Sequence, residues 1–435
     1  MTGAAPIDGR FSVTIDQNPY LPGGTGAVEA VITVGYTDLA PAGTATPEQA
    51  PDRVELLLID RSASMGIPTS DKLVAAKLAT IAALDLIPDG VAFAVVAGSH
   101  ESQMVYPRRR ATARADQATR DEARRAITTI WAQGGTAIGN WLLTAKRLMK
   151  DHPNALGHAI LLTDGRNEHE TQPELAAAIA ACAGVFTCDC RGVGTDWDVA
   201  ELRGIASGLL GTVDIVADPR GLADGFRSMM ATSLQRSIPA LALRLWTPIG
   251  AIVNFVKQVA PAVEDLTGRR EDIDAQQGEY PLGSWRSEER DYHIGITVKP
   301  GAIGREKLAG RVTVAAGGLP LGEGLIRAIW TDDSALSTRI SPRVAHYTGQ
   351  VELAGVIQQG LAARKAGDVP TATVKLARAV ELAGRSGNDG TSMLLAKVVQ
   401  VDERTDIVRL REDVQAADEM ALDARSTRTR RVRKQ

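Results

Sequence analysis

The sequence predicts an α/β protein: a doubly wound, mostly parallel sheet inserted in a β-sandwich, with a C-terminal α-helical region. Three observations predict it. Between residues 53 and 235, strand runs that are apolar along their whole length alternate with helical patterns. That is the signature of a parallel sheet covered on both faces. On either side, 10–50 holds two strand-like runs, and at 236–335 the strand runs alternate in polarity and are punctuated by Gly and Pro, which reads as antiparallel β. Over 340–424, apolar residues recur at helical spacing.

The elements follow in order. "RFSVTID" and "VEAVITVGYT" are two strands joined by "QNPYLPGGTG". Two strands cannot stand alone, so they require partners elsewhere in the chain. "DLAPAGTATPEQAPD" then reads as a linker. The α/β series has strands at 54–60, 91–98, 158–165, 185–194 and 213–218, with helices at 71–87, 116–131, 138–151, 173–183, 198–208 and 221–235. "PALALRLWT", "YHIGITVKP" and "GRVTVAAG" in 236–335 are the natural partners of the two N-terminal strands. In the helical region, Leu353, Ala354, Ile357 and Leu361 form one stripe and Ala372, Leu376, Val380 and Ala383 another. "GDVP" between them supplies a stop, a cap and an early-turn Pro. A basic tail occupies 425–435.

Composition narrows the function classes. A chain of 435 residues accommodates about two to four domains. Aromatics are only 4% against 44% hydrophobic residues, so the cores are aliphatic. A net charge of −3 argues against a dedicated nucleic-acid binder. No apolar run reaches the ~18 residues of a membrane helix, and the N-terminus lacks a signal-peptide pattern. Three cysteines, Cys182, Cys188 and Cys190, fit a reducing compartment, so the expected location is cytoplasmic. Cys188 and Cys190 share a strand face and read as packing residues rather than a zinc site.

Chemistry concentrates at the carboxyl ends of strands, where open α/β sheets bind ligands. "DRSASMG" follows the first α/β strand, "LLTDG" a later one, and "AQGGTAIGNW" precedes a helix. Asp60, Ser62, Ser64, Thr136 and Asp164 can converge there. All five offer oxygen, which suits a hard cation such as Mg²⁺. The alternating serines let both hydroxyls face inward, and Gly134 and Gly135 permit close backbone approach beside Thr136. Taken alone, a D-x-S-x-S run is more often a capped turn; the three loops in a βα series give it weight.

With these three motifs in this order, the chain resembles the von Willebrand factor A domain family. The run "GVGTDWDVAELRGIASGLLGTVDIVADPRGLADGF" is similar to that family's final strand-helix-strand-helix segment. The resemblance implies a metal-ion-dependent adhesion site. In it Ser62 and Ser64 bind Mg²⁺ (or Mn²⁺) directly, Thr136 binds directly or through water, and Asp60 and Asp164 act largely through water. A protein partner's Asp or Glu completes the shell. Ala63 stands where the family usually has Gly. "YPLGSWRSEERDYHIGITVKPG" and the ending "LDARSTRTRRVRK" resemble intracellular actinobacterial members. The resemblance implies partners among Ser/Thr kinases, phosphatases and forkhead-associated (FHA) domain proteins.

The expected function is therefore binding and scaffolding, not catalysis. There is no phosphate-binding G-x-x-x-x-G-K-[ST] loop and no G-x-S-x-G elbow. A nucleophilic Ser62 would need a base, and the three motifs contain no His; His169 lies five residues beyond Asp164 and is the nearest candidate. Two alternatives stand beside binding: a Mg²⁺-dependent hydrolase, or a subunit of an ATPase-linked complex of the chelatase or chaperone kind. The tail reads either as a solvated segment or as a phosphorylation segment at Thr427 or Thr429, with Ser426 nearby, all set among arginines. Arg108, Arg109 and Arg110 read as charges protecting a sheet edge, and Asp332-Asp333 as a turn or cap.

Overall fold

The computed structural model describes residues 9–38, 52–66, 71–402 and 407–432. The predicted linker lies almost wholly outside the described residues. The chain divides into two compact units, Ala45–Pro239 and Met1–Thr44 with Ala240–Gln435.

The split unit begins with β1 (Gly9–Gln17), β2 (Tyr20–Pro22) and β3 (Ala27–Asp38); β1 and β3 pair antiparallel. The inserted unit contains β4 (Arg53–Asp60), α1 (Lys72–Leu84), β5 (Ala92–Gly98), β6 (Ser102–Tyr106), β7 (Ala113–Arg114), α2 (Gln117–Thr128), α3 (Ile138–Met149), β8 (Leu156–Thr163), α4 (Gln172–Cys182), β9 (Thr187–Val193), α5 (Val199–Gly208), β10 (Val213–Val216) and α6 (Leu222–Leu234). Its sheet runs β10-β9-β8-β4-β5-β6. The first five strands are parallel, and β6 and β7 pair antiparallel with β5. Arg108, Arg109 and Arg110 follow edge strand β6 and are exposed.

The centre of this sheet is apolar on both faces because both are covered. Leu57, Ile59, Phe93 and Val95 meet α1, α2 and α6 in one core, while α3 packs against α4, β4 and β5. Each fully buried side chain of this size contributes about 1.5–3 kcal/mol. Local signals set the helix starts. Asp116 and Thr171 form capping boxes with Thr119 and Glu174, and Asp198 caps α5.

The split unit resumes with β11 (Ile238–Trp246), β12 (Ile252–Ala260), β13 (Glu264–Asp265), β14 (Glu271–Asp272), β15 (Gln277–Trp285), β16 (Glu288–Thr297), β17 (Glu306–Ala316) and β18 (Leu319–Thr331). Two sheets form, ordered β1-β3-β16-β12-β13 and β14-β15-β11-β17-β18-β2. The N-terminal strands find their partner in β16, which runs antiparallel to β3. The sheets lie close: Cβ atoms on Gly322 and Gly324 of β18 would press on Val13 and Ile15 of β1. A short α7 (Ser334–Ser337) is capped by Asp333, whose carboxylate accepts the Ala335 N–H.

The helical region is α8 (Pro342–Lys365), α9 (Val369–Ser386), α10 (Asp389–Val398), the hairpin β19 (Val399–Val401) and β20 (Val408–Leu410), and α11 (Ala416–Arg425). Gly367 turns the chain at φ +79°, and Asp368 caps α9 through the Thr371 N–H at 3.1 Å. Val344 and Tyr347 of α8 pack on Val31, Val259 and Ala260 of the sandwich.

The basic tail differs from a solvated segment. Its described part is laid against the sandwich. Thr427 accepts the Val263 N–H at 2.7 Å, and the Thr429 hydroxyl donates to Val259 O at 2.7 Å. Arg431 reaches the fully buried Asp291 at 2.8 Å, where Arg343, Thr33 and Tyr347 also donate. The physical reason is Asp291 itself. A buried carboxylate must be paired, and the tail arginine shares that task.

Candidate metal centre

Three loops meet at the carboxyl end of the inserted sheet. The first leaves β4 at Asp60, which is fully buried. Its carboxylate folds back on its own loop: one oxygen accepts the Ser62 N–H at 2.6 Å, and the other accepts the Thr163 hydroxyl. That turn, followed by a short 3-10 segment at Ala63–Gly66, presents Ser62 and Ser64 side by side with their hydroxyls 2.9 Å apart.

The second loop carries Thr136 into the same place. It is stitched to the first by Ala63 N–H to Gly134 O at 2.9 Å and Gln133 N–H to Arg61 O at 2.7 Å. The two glycines are sterically required. Gly134 has φ +77°, and a Cβ on Gly135 would sit 1.8 Å from the His169 ring. The Thr136 N–H donates to Nδ1 of that imidazole at 3.3 Å, and His169 N–H returns to Thr136 O at 3.0 Å.

The third loop follows β8. Asp164 is fully buried and accepts the Ser64 hydroxyl at 2.6 Å through Oδ1. Its Oδ2 accepts Lys72 Nζ at 2.8 Å, and the same ammonium reaches Asp196 at 3.1 Å. Gly165 then passes over the hydroxyls. A Cβ placed on it would lie 3.4, 3.5 and 4.0 Å from the oxygens of Thr136, Ser64 and Ser62.

All five predicted residues therefore come together. Ser62, Ser64 and Thr136 line a cleft of ≈ 690 Å³, with His100, Arg166, Glu168, His169 and Asp196 around it. The carboxylates of Asp60 and Asp164 lie behind the hydroxyls, out of solvent. Burial pushes the Asp60 carboxyl up to about 6 against the hydrogen bonds from Ser62 and Thr163, with Asp164 adding to the rise. Burial alone would lower the Lys72 ammonium, but the Asp164 and Asp196 carboxylates outweigh it and hold it above the ordinary lysine value.

The donor set fits a small hard cation. Three hydroxyl oxygens lie within 4.0 Å of one point, where a Gly165 Cβ would stand, and two carboxylates lie behind them. The His100 and His169 imidazoles line the cleft beside this oxygen set. The 2.9 Å separation of the serine oxygens equals the edge of an octahedron with metal–oxygen bonds of ~2.0–2.1 Å. Among the described residues no group of three His, Cys, Asp or Glu side chains is placed to hold a metal, so a metal here would rest on the hydroxyls.

Known proteins bear on this arrangement. A model of the von Willebrand factor type A domain matches residues 56–225, and one of the von Willebrand factor type A C-terminal domain matches 381–426. A von Willebrand factor type A structure from Catenulispora acidiphila is 48% identical, covers 98% of both chains and superposes with a TM-score of 0.92. The chain belongs to the von Willebrand factor type A family. Likeness in fold reaches further within it. The ArnB paralog VWA2 from Sulfolobus acidocaldarius is 13% identical over 97% of this chain and 98% of its own, with a TM-score of 0.61. An uncharacterized protein of Synechocystis sp. is 29% identical over 219 residues, 48% of this chain and 49% of its own. The chain thus spans about half the length of that curated relative.

Four residues of the type A site were not marked by the sequence motifs. Thr163 sits inside "LLTDG" and fixes Asp60; its place beside Asp164 was a usable signal. Lys72 opens a helix, where a lysine ordinarily points to solvent, so nothing in the sequence distinguishes it. Asn167 accepts the Ile138 N–H at 2.9 Å, and Glu170 accepts the Gly139 N–H at 2.7 Å. They pin the start of α3 just after Thr136. The tail residues Thr427 and Thr429 belong to the split unit and are half-buried.

Proposed function

We infer that the cleft is a metal-ion-dependent adhesion site that captures an acidic side chain of a protein partner. The observation that carries this reading is the trio of hydroxyls, Ser62, Ser64 and Thr136, gathered around one point above two buried carboxylates. Mg²⁺ or Mn²⁺ bound there would act as an electrophile for one further anionic oxygen. Ser62 and Ser64 would hold it through neutral oxygens, Asp60 and Asp164 would balance its charge from behind, and Gly165 leaves the open side uncovered. The pairings favour binding over catalysis, since the serine hydroxyls bond each other and Asp164 rather than an imidazole. The setting proposed for this activity is phosphorylation-linked signalling, with the sandwich and helical region as scaffold.

The test is affinity capture from the native host in Mg²⁺ against EDTA, with the double variant Asp60→Ala, Ser62→Ala as control. Partners eluted by EDTA and lost in the folded double variant support the reading. Capture that survives both treatments overturns it. Phosphoester hydrolysis lost in an Asp60 variant would establish the enzyme alternative instead.

A further inference from the structure

Lys72 is the first residue of α1, the helix that follows the serine loop. Its side chain is only 10% exposed, and its ammonium lies 2.8 Å from Asp164 and 3.1 Å from Asp196. The turn after β9 accommodates it: Gly194 has φ +70°, and a Cβ there would come within 3.2 Å of Lys72 Cε. Enclosing an ammonium is costly, and apolar residues of similar size often replace a buried ion pair at no loss. The charge at this position therefore invites a role beyond packing.

Two carboxylates, Asp60 and Asp164, serve the site. Lys72 neutralises one of them and occupies its Oδ2, leaving only Oδ1, which already faces Ser64. Asp196, on the rim of the cleft, shares the same ammonium. A divalent ion entering the hydroxyl cradle would meet the charge of these three carboxylates reduced by one, with a like charge one carboxylate away, so its own charge would be less fully answered until another anion arrived. We propose that Lys72 is a built-in counter-cation that holds the site's own metal affinity down, so that a divalent ion is firmly retained only when a partner's carboxylate supplies the missing negative charge. This rests on the adhesion-site reading and adds a coupling to it. By reciprocity, the partner tightens the metal as much as the metal tightens the partner.

The experiment is Mn²⁺ binding to the purified full chain without any partner, read by calorimetry or by the free Mn²⁺ electron paramagnetic resonance signal. Lys72→Met should bind Mn²⁺ at least about tenfold tighter than the parent, the scale of an ammonium repelling a divalent ion about 6 Å away under water-like screening. Lys72→Arg, which keeps the charge, should stay near the parent value. Lys72→Gln keeps a donor for Asp164 without the charge and guards against loss of folding in Lys72→Met. Circular dichroism checks each variant. Equal or weaker Mn²⁺ binding by a folded neutral variant overturns the counter-cation role while leaving the metal site standing. No Mn²⁺ binding by the parent or by any folded variant overturns both.

Discussion

The inserted sheet has buried acids at both ends, and they are built differently. At the amino end, His158 lies between Glu55 at 2.7 Å and Asp189 at 2.9 Å, all three buried. Ser233 and Thr212 donate to the remaining carboxylate oxygens. Every charge there is answered by the protein, and the cluster ties α6 to the strands. At the carboxyl end, the acids are equally buried and also bonded, by Thr163, the Ser62 N–H and Lys72, but the Ser64 hydroxyl that donates to Asp164 faces a cleft together with Ser62 and Thr136. Burial and charge are common to both clusters. What separates a structural cluster from a candidate site is oxygen left pointing outward.

The widest split between the ends should come from removing one acid at each. Asp189→Ala leaves a buried imidazolium short of a partner and should cost about 3–5 kcal/mol by urea unfolding, while the protein that remains folded binds Mn²⁺ unchanged. Asp60→Asn should do the reverse. It keeps the shape and costs about 1 kcal/mol, but it abolishes metal binding. If both variants lost stability alike and metal binding alike, the two ends would not differ in kind.

The pH dependence sharpens the contrast. Burial alone would lower the His158 imidazole, but Glu55 and Asp189 outweigh it and raise it to about 8. Because the folded value lies above the unfolded ~6.5, this contribution is fully present below pH ~6.5 and fades as pH rises through about 8. The loss should reach about 2 kcal/mol in denaturant melts. Asp189 has the opposite sign. Against its burial, His158 holds it well below the usual carboxylate range, so its contribution is present above pH ~3.9 and lost as acid is added. Substituting His158→Gln should flatten the alkaline limb.

A third cluster, around a buried acid of the split unit, should lose little. Asp291 shares its load among Arg343, Arg431, Thr33 and Tyr347. Arg431→Met should therefore cost only about 1–2 kcal/mol in thermal melts, because the other donors remain.

Most of the type A fold was legible, and the reason is the period of the apolar residues. After the paired Glu55 and His158, "LLLI" and "AILL" are apolar without a break because helices cover both faces. The five oxygen donors were legible because each lies just past such a strand or at a glycine-rich helix start. Lys72 was not, since its role depends on Asp164 and Asp196, both distant in sequence. The docking of the tail was hidden for the same cause. Arg431 reads as one more base in a basic run until Asp291, 140 residues earlier, is placed opposite it. Periodicity reports which face is buried; it does not report which buried charge awaits a distant partner.

The pairing of β3 with β16 carries a kinetic consequence. Thr33 and Asp291, bonded across these strands, are separated by 258 residues, and the entire inserted unit is synthesised between them. The α/β unit can complete its own hydrogen-bond ladder while β1 and β3 still present an unpaired edge. During that interval the nascent chain carries an apolar strand, "VITVGY", paired with β1 on one edge and with nothing on the other. The yield of folded protein should therefore depend on how quickly translation delivers β16, and on whether a chaperone covers β3 until it arrives.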